Sequence, residues 1–103
     1  MGDIVIKKIK EIVRKYFPEC KIILFGSRCR NAHNYESDYD ILVIIGRSLK
    51  IREKRHYESI IRKESASMMI DIDILIRTVD DVEYYRDKIG SITREALKEG
   101  IIL

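Results

Sequence analysis

The chain has 103 residues, 46% of them apolar and 36% charged, with a formal charge of +3. This size holds one domain, residues 1–103, and not two, and the charge falls well short of the basic footprint of a dedicated nucleic-acid binder. The longest apolar run, Ile41–Ile45, is far too short to span a membrane, and the N-terminus lacks the apolar core of a signal peptide, so a cytoplasmic protein is expected.

Residues 3 to 17 predict a helix. Ile4, Val5, Ile9, Ile12, Val13 and Tyr16 fall on one stripe with Lys and Arg opposite, and Pro18 stops the run. Lys21 to Phe25 is apolar on both faces and predicts a central strand. Gly26-Ser27 follows and is expected to open a turn or short helix reaching about His33. A helix N-terminus preceded by glycine presents free N–H groups to an anion. Gly26 lets the backbone approach a phosphate, and Ser27 adds a hydroxyl donor. Arg28 and Arg30 are either phosphate-neutralising or solvated charges, and His33 reads as a surface residue. Cys20 and Cys29 lack zinc or Cys-x-x-Cys spacing and read as free thiols of a reducing cytosol.

Beyond ten residues that follow Ser27, Asp38 and Asp40 lead into a second strand through Ile45. Side chains alternate along a strand, so both carboxylates point to one face. Two carboxylates so close repel unless they share a proton or a cation. Opposite a Gly-Ser turn the natural cation is Mg²⁺, which takes one or two carboxylates together with substrate phosphates. The stretch therefore reads as a nucleoside-triphosphate site.

Gly46-Arg47-Ser48 ends that strand, and residues 49 to 64 predict a charged helix whose apolar face is Leu49, Tyr57, Ile60 and Ile61. Its basic opening is interleaved with Glu53, Glu58 and Glu64, which favours a solvated, ion-paired face over a nucleic-acid surface. Met68 to Arg77 predicts a third strand, with Ile70, Ile72, Ile74 and Ile76 toward the core and Met69, Asp71, Asp73 and Leu75 on the other face. A two-metal site draws carboxylates from more than one strand to clamp ions about 3.5–4 Å apart. Alternation alone does not choose between Asp71 and Asp73. Thr78-x-x-Asp81 has the form of a capping box before a helix to about Asp87. Ser91 is placed to cap a last helix, residues 92 to 98, with Gly100 at its C′ position.

Gly26-Ser27, ten residues, then Asp38-x-Asp40 resembles the signature of the nucleotidyltransferase superfamily that includes DNA polymerase β. The short form resembles the minimal nucleotidyltransferases, and the resemblance runs from the first helix to Gly100-Ile-Ile-Leu. Where the family often ends its Gly-Ser-Arg-x-Arg run on Gly, this chain has Asn31, a residue tolerant of the left-handed region.

The resemblance implies an α/β (α+β) nucleotidyltransferase fold: a small mixed sheet, helices on one face and an acidic active site on the other. It implies that Asp38, Asp40 and Asp73 are catalytic and hold two Mg²⁺ ions. Asp73 is chosen over Asp71 because the family's third carboxylate commonly stands five residues before a helix-capping Thr, here Thr78. It further implies that Gly26, Ser27 and Arg28 bind the phosphates, and that AMP passes from ATP to a hydroxyl. Relatives of this form are typically antitoxins that modify a tyrosine of a HEPN-type RNase toxin, which makes such a toxin the expected partner, with self-association a further possibility. Two alternatives stay open: transfer to a small-molecule or nucleic-acid hydroxyl, and a non-catalytic antitoxin that acts by binding.

Overall fold

The computed structural model describes residues 2–26 and 38–103. Four helices and four strands follow one another as α1 (Gly2–Tyr16), β1 (Cys20–Phe25), β2 (Tyr39–Ile45), α2 (Ile51–Ser67), β3 (Ile72–Thr78), α3 (Val79–Tyr85), α4 (Ile92–Glu99) and β4 (Ile101–Ile102). The strands form one mixed sheet in the order β3-β2-β1-β4. β1 runs antiparallel to both neighbours, and β2 runs parallel to β3, with α2 as the crossover. The apolar β1 and β2 are central, as their two-sided hydrophobicity requires.

Alternation divides the sheet into two faces. Ile22 and Leu24 of β1, Ile41, Val43 and Ile45 of β2, and Ile72, Ile74 and Ile76 of β3 join Ile9, Ile12 and Val13 of α1 and Ile61 of α2 in the main core. Each such side chain contributes about 1.5–3 kcal/mol through burial. The opposite face carries a smaller cluster, Ile23, Leu42 and Ala96 of α4, with Phe25, Ile44 and Leu75 packed around it. The two long helices therefore cover one face, as expected, and the face bearing the aspartates also receives α4.

Helix boundaries follow local chemistry. Thr78 and Asp81 form the expected capping box: Asp81 N–H donates to Thr78 Oγ1 (3.1 Å), and Thr78 N–H donates to Asp81 Oδ2 (2.9 Å). Ser91 Oγ accepts from Arg94 N–H at 3.0 Å to start α4. The end of α2 differs from the expected strand start at Met68. Ile70 N–H donates to Ser65 C=O and Met69 N–H to Ala66 C=O, both 2.9 Å, with Met69 at φ 61°. This is a Schellman cap whose left-handed position, usually glycine, is a methionine. Gly100 departs from its expected C′ role as well: its backbone is extended (φ −78°, ψ 165°). A Cβ there would collide with Ile23 Cγ2 and the Ala96 carbonyl, so glycine is needed for close approach and not for handedness.

Two glutamates of α2 do more than solvate its surface. Glu64 Oε1 accepts from Lys15 Nζ (2.6 Å) and Tyr16 Oη (2.8 Å), joining α1 to α2. Glu58 Oε2 accepts from the N–H of Ile76 at 2.9 Å, occupying an edge donor of β3. Edge strands left open are templates for aggregation, and a covering carboxylate blunts that.

Candidate active site

β2 and β3 are parallel and in register, with Asp40 the direct partner of Asp73. Neighbouring strands lie about 4.8 Å apart and paired residues share a face, so the two side chains stand side by side. On its other flank Asp40 is the partner of Phe25, the last residue of β1. Asp38 precedes β2 by one residue and is exposed. Asp71 precedes β3, and its carbonyl accepts from Tyr39 N–H at 3.1 Å. The ladder thus brings Asp73, and not Asp71, beside Asp40.

Gly26 completes the arrangement. It leaves β1 at φ +78°, and a Cβ built on it would strike Asp40 Oδ2 and lie 3.0 Å from Asp40 Cγ. Only a residue without a side chain lets the backbone after β1 meet the carboxylate of β2. Ser27 and Arg28, the other two expected phosphate contacts, lie outside the described residues, as does Cys29. Cys20 is a free thiol, raised above its ordinary value by burial.

Asp40 is half-buried, and its carboxyl is raised above the ordinary carboxylate value. Burial is the largest cause, followed by the negative charges of Asp73, Asp38 and Glu95. Asp38 and Asp40 were legible as a motif, and Asp73 was expected from the family resemblance. Glu95 was not: it lies on α4, remote in sequence, and nothing in the helical pattern of residues 92 to 98 tells which face of the sheet that helix covers.

Three or more His, Cys, Asp or Glu side chains do not converge into a metal-binding group among the described residues. Two clefts among those residues lie away from the aspartates. One of about 600 Å³ is lined by Tyr16, Phe17, Pro18, Ile45 and Arg47, at the far end of β2. Another, of about 380 Å³, runs between α3, α4 and the sheet. No helix among the described residues is long and apolar enough to cross a membrane.

Solved structures share this fold. The chain resembles a toxin–antitoxin crystal structure with AMP-PNP at a TM-score of 0.64 and 21% identity, covering 93% of this chain and 69% of that one. It resembles a chain of the tri-AMPylated Shewanella oneidensis HEPN toxin in complex with MNT antitoxin at 0.60 and 18% identity, covering 99% and 71%. For the MntA–HepT toxin–antitoxin complex the values are 0.60 and 18%, covering 97% and 69%. No curated protein matches the chain. The nucleotidyltransferase-domain model matches residues 6–102, nearly the whole chain, and the protein belongs to that family.

Proposed function

We propose that the protein transfers AMP from ATP to a protein hydroxyl, a tyrosine of a HEPN-type toxin, and that Asp38, Asp40 and Asp73 are the catalytic carboxylates. The pairing of Asp40 with Asp73 in the β2–β3 ladder, beside the side-chain-free Gly26, carries this reading. The donor set fits Mg²⁺. Carboxylate oxygens are its preferred ligands, and one or two of them with substrate phosphates are enough. The raised Asp40 carboxyl, pressed by burial and by its acidic neighbours, marks a place where a cation relieves repulsion.

In this reading Asp38, Asp40 and Asp73 hold two Mg²⁺ ions, and Gly26, Ser27 and Arg28 hold the phosphates. Bound Mg²⁺ supplies Lewis-acid activation of the attacking hydroxyl and stabilisation of the leaving pyrophosphate. The acceptor oxygen forms a bond to the α-phosphorus, the bond from that phosphorus to the bridging oxygen breaks, and pyrophosphate leaves with the electron pair. Asp73 takes the proton of the acceptor hydroxyl. Likeness to the toxin–antitoxin structures supports the choice of acceptor. So does the exposed apolar surface of the last third of the chain, where Val79, Ile92, Leu97, Ile101 and Ile102 all reach solvent.

The test is transfer of label from α-labelled ATP, with Mg²⁺, to a HEPN protein encoded beside this one, with Asp40→Asn as control. Label on a tyrosine of that protein, absent with the variant, is the expected result. A stable complex without label would replace this reading with neutralisation by binding. Neither label nor complex would redirect the assignment to small-molecule or nucleic-acid hydroxyls.

A further inference from the structure

We infer that the cleft at the far end of β2 is a second binding site, one that takes a small aromatic carboxylate with its ring against Phe17 and Pro18 and its carboxylate on Arg47. Ile45, in the wall of that cleft, is the last residue of β2, five residues beyond Asp40 and so about 17 Å along the strand. The site is separate from the aspartates, and the inference stands without the reading given to them.

The sequence sets a charge where the core stripe would continue. Ile41, Val43 and Ile45 point into the main core, and the next position of that alternation is Arg47. Its guanidinium carbon stands 5.4 Å from the centre of the Phe17 ring and 5.9 Å from that of Tyr57, both within cation–π range. Contact with ring faces uses none of the five N–H donors of a guanidinium. Lys15, Lys54 and Arg86 each have a carboxylate partner, whereas Arg47 has none among the described residues. Its donors are therefore open to a ligand, and their planar fork matches a carboxylate.

The walls are held in place. Phe17 is buried, and the Tyr57 ring meets its ring edge-on with 4.9 Å between centres. Tyr16 Oη donates to Glu64 Oε1 at 2.8 Å, and Phe17 N–H donates to the Val13 carbonyl at 2.9 Å. Tyr16, Phe17, Pro18 and Ile45 line a space of about 600 Å³, within the range of small-ligand clefts, and their flat apolar faces suit an aromatic ring. Charge sets the rest of the specificity. Arg47 is the cation of the described lining and Glu19 its acid. One guanidinium balances one carboxylate, and Glu19 repels a ligand with several negative charges, such as a nucleotide.

The experiment is titration of the ¹⁵N-labelled full chain with 3-phenylpropanoate, following the Gly46 amide and the Arg47 Nε–H by NMR. The uncharged probe is 3-phenylpropanamide, and N-acetyl-Gly-Gly-Phe with a free carboxyl terminus presents the same chemistry on a peptide. The acid is expected to saturate with a dissociation constant of about 1–10 mM, as suits so few atoms. The amide should bind roughly 10-fold more weakly, since it gives up the charge-assisted hydrogen bonds. Arg47 is exposed, so its replacement does not open the core. Arg47→Gln should lose the preference for acid over amide, and Arg47→Lys, which keeps the charge without the fork, should keep only part of it. Lys98→Gln, an exposed charge change in the last turn of α4, should bind as wild type. Equal affinity for acid and amide overturns the proposal, and so does an Arg47→Gln variant that binds the acid as wild type does, or the lack of any saturable shift. A peptide bound at least about tenfold more tightly than the acid would overturn the free acid as the ligand, in favour of the carboxyl terminus of a partner protein.

Discussion

Gly26 and Asp40 meet across a gap that no side chain fits: a Cβ on Gly26 would overlap Asp40 Oδ2 and stand 3.3 Å from Asp40 Cβ. Gly26 also holds φ +78°, where any other L-residue is strained by about 1–2 kcal/mol. Gly26→Ala therefore faces two penalties, and relief of either moves the carboxylate or the turn. The expected outcome is a lower melting temperature together with loss of nucleotidyl transfer. Retention of wild-type turnover would show that the close approach has no part in the chemistry.

Asp40→Asn should separate stability from activity. The folded-state carboxyl is raised above the ordinary value near 3.8 by burial and by Asp73, Asp38 and Glu95. A raised value means that protonation favours the fold: that contribution is complete below the unfolded value and is lost as pH rises through the folded one. At pH 7 the ionised wild type carries the penalty and the neutral amide does not. In chelator, Asp40→Asn should melt higher than wild type at pH 7, and the gap should close below about pH 4. The same variant should be inactive in transfer. A wild type that melts higher than Asp40→Asn in chelator at pH 7 would contradict the repulsion inferred at this carboxylate.

The motif and the facing of the strands were legible for related reasons. Strand alternation set Asp38 with Asp40 on one face, and the Ile70–Ile76 alternation set Asp73 on an outward face, because period two is a property of the backbone. The partnering of Asp40 with Asp73 was not readable in the residues, since parallel register is fixed by how α2 packs and not by either strand. Alternation left Asp71 and Asp73 equivalent, and the ladder sets Asp73, not Asp71, opposite Asp40. Two other misreadings have local causes. Met68 and Met69 continue the apolar pattern of β3, and the cap they form lacks the glycine that normally signals it. Gly100 looked like a left-handed cap because glycine has two uses, and only tertiary contact shows that here the use is space.

Asp81 ties α2 to the start of α3. Its Oδ2 accepts from Lys54 Nζ at 2.8 Å and from the Thr78 N–H at 2.9 Å, and the Lys54 side chain is only 11% exposed. Burial pushes the Asp81 carboxyl up, but these hydrogen bonds and the Lys54 charge outweigh it and hold the carboxyl below its ordinary value. A depressed value contributes stability that is present above the unfolded value and is lost as pH falls through the folded one. Asp81→Asn should lower stability by on the order of 1–2 kcal/mol near neutrality. The gap to wild type should hold from about pH 7 to pH 5 and close below about pH 4. Denaturant melts across that range check it, and a gap that widens toward acid would be inconsistent with the ion pair.

Ser65 lies fully buried on α2, and its hydroxyl has no hydrogen-bond partner among the described residues. A hydroxyl removed from water and left unpaired costs about 1–3 kcal/mol, and alanine is the better helix former. Ser65→Ala should raise the melting temperature by about 4–8 °C for each kcal/mol gained in a domain of this size. A lower melting temperature would mean that the hydroxyl is satisfied within α2.

Met69 offers a gain of another kind. Its side chain is 93% exposed, so little packing holds it, and it occupies a left-handed position at φ 61°. The two hydrogen bonds of the α2 cap, from Met69 and Ile70 to Ala66 and Ser65, require that conformation and not the methionine. Glycine adopts it without the Cβ penalty of about 1–2 kcal/mol, although it also loses more freedom on folding, which offsets part of the gain. Met69→Gly should therefore stabilise the fold by up to about 1 kcal/mol, and Met69→Val, β-branched at the same φ, should destabilise it. Both variants leave the aspartates untouched, so transfer activity at moderate temperature should equal wild type. If Met69→Gly melts below wild type while Met69→Val does not, the turn at the end of α2 is not the left-handed cap that sets the entry into β3.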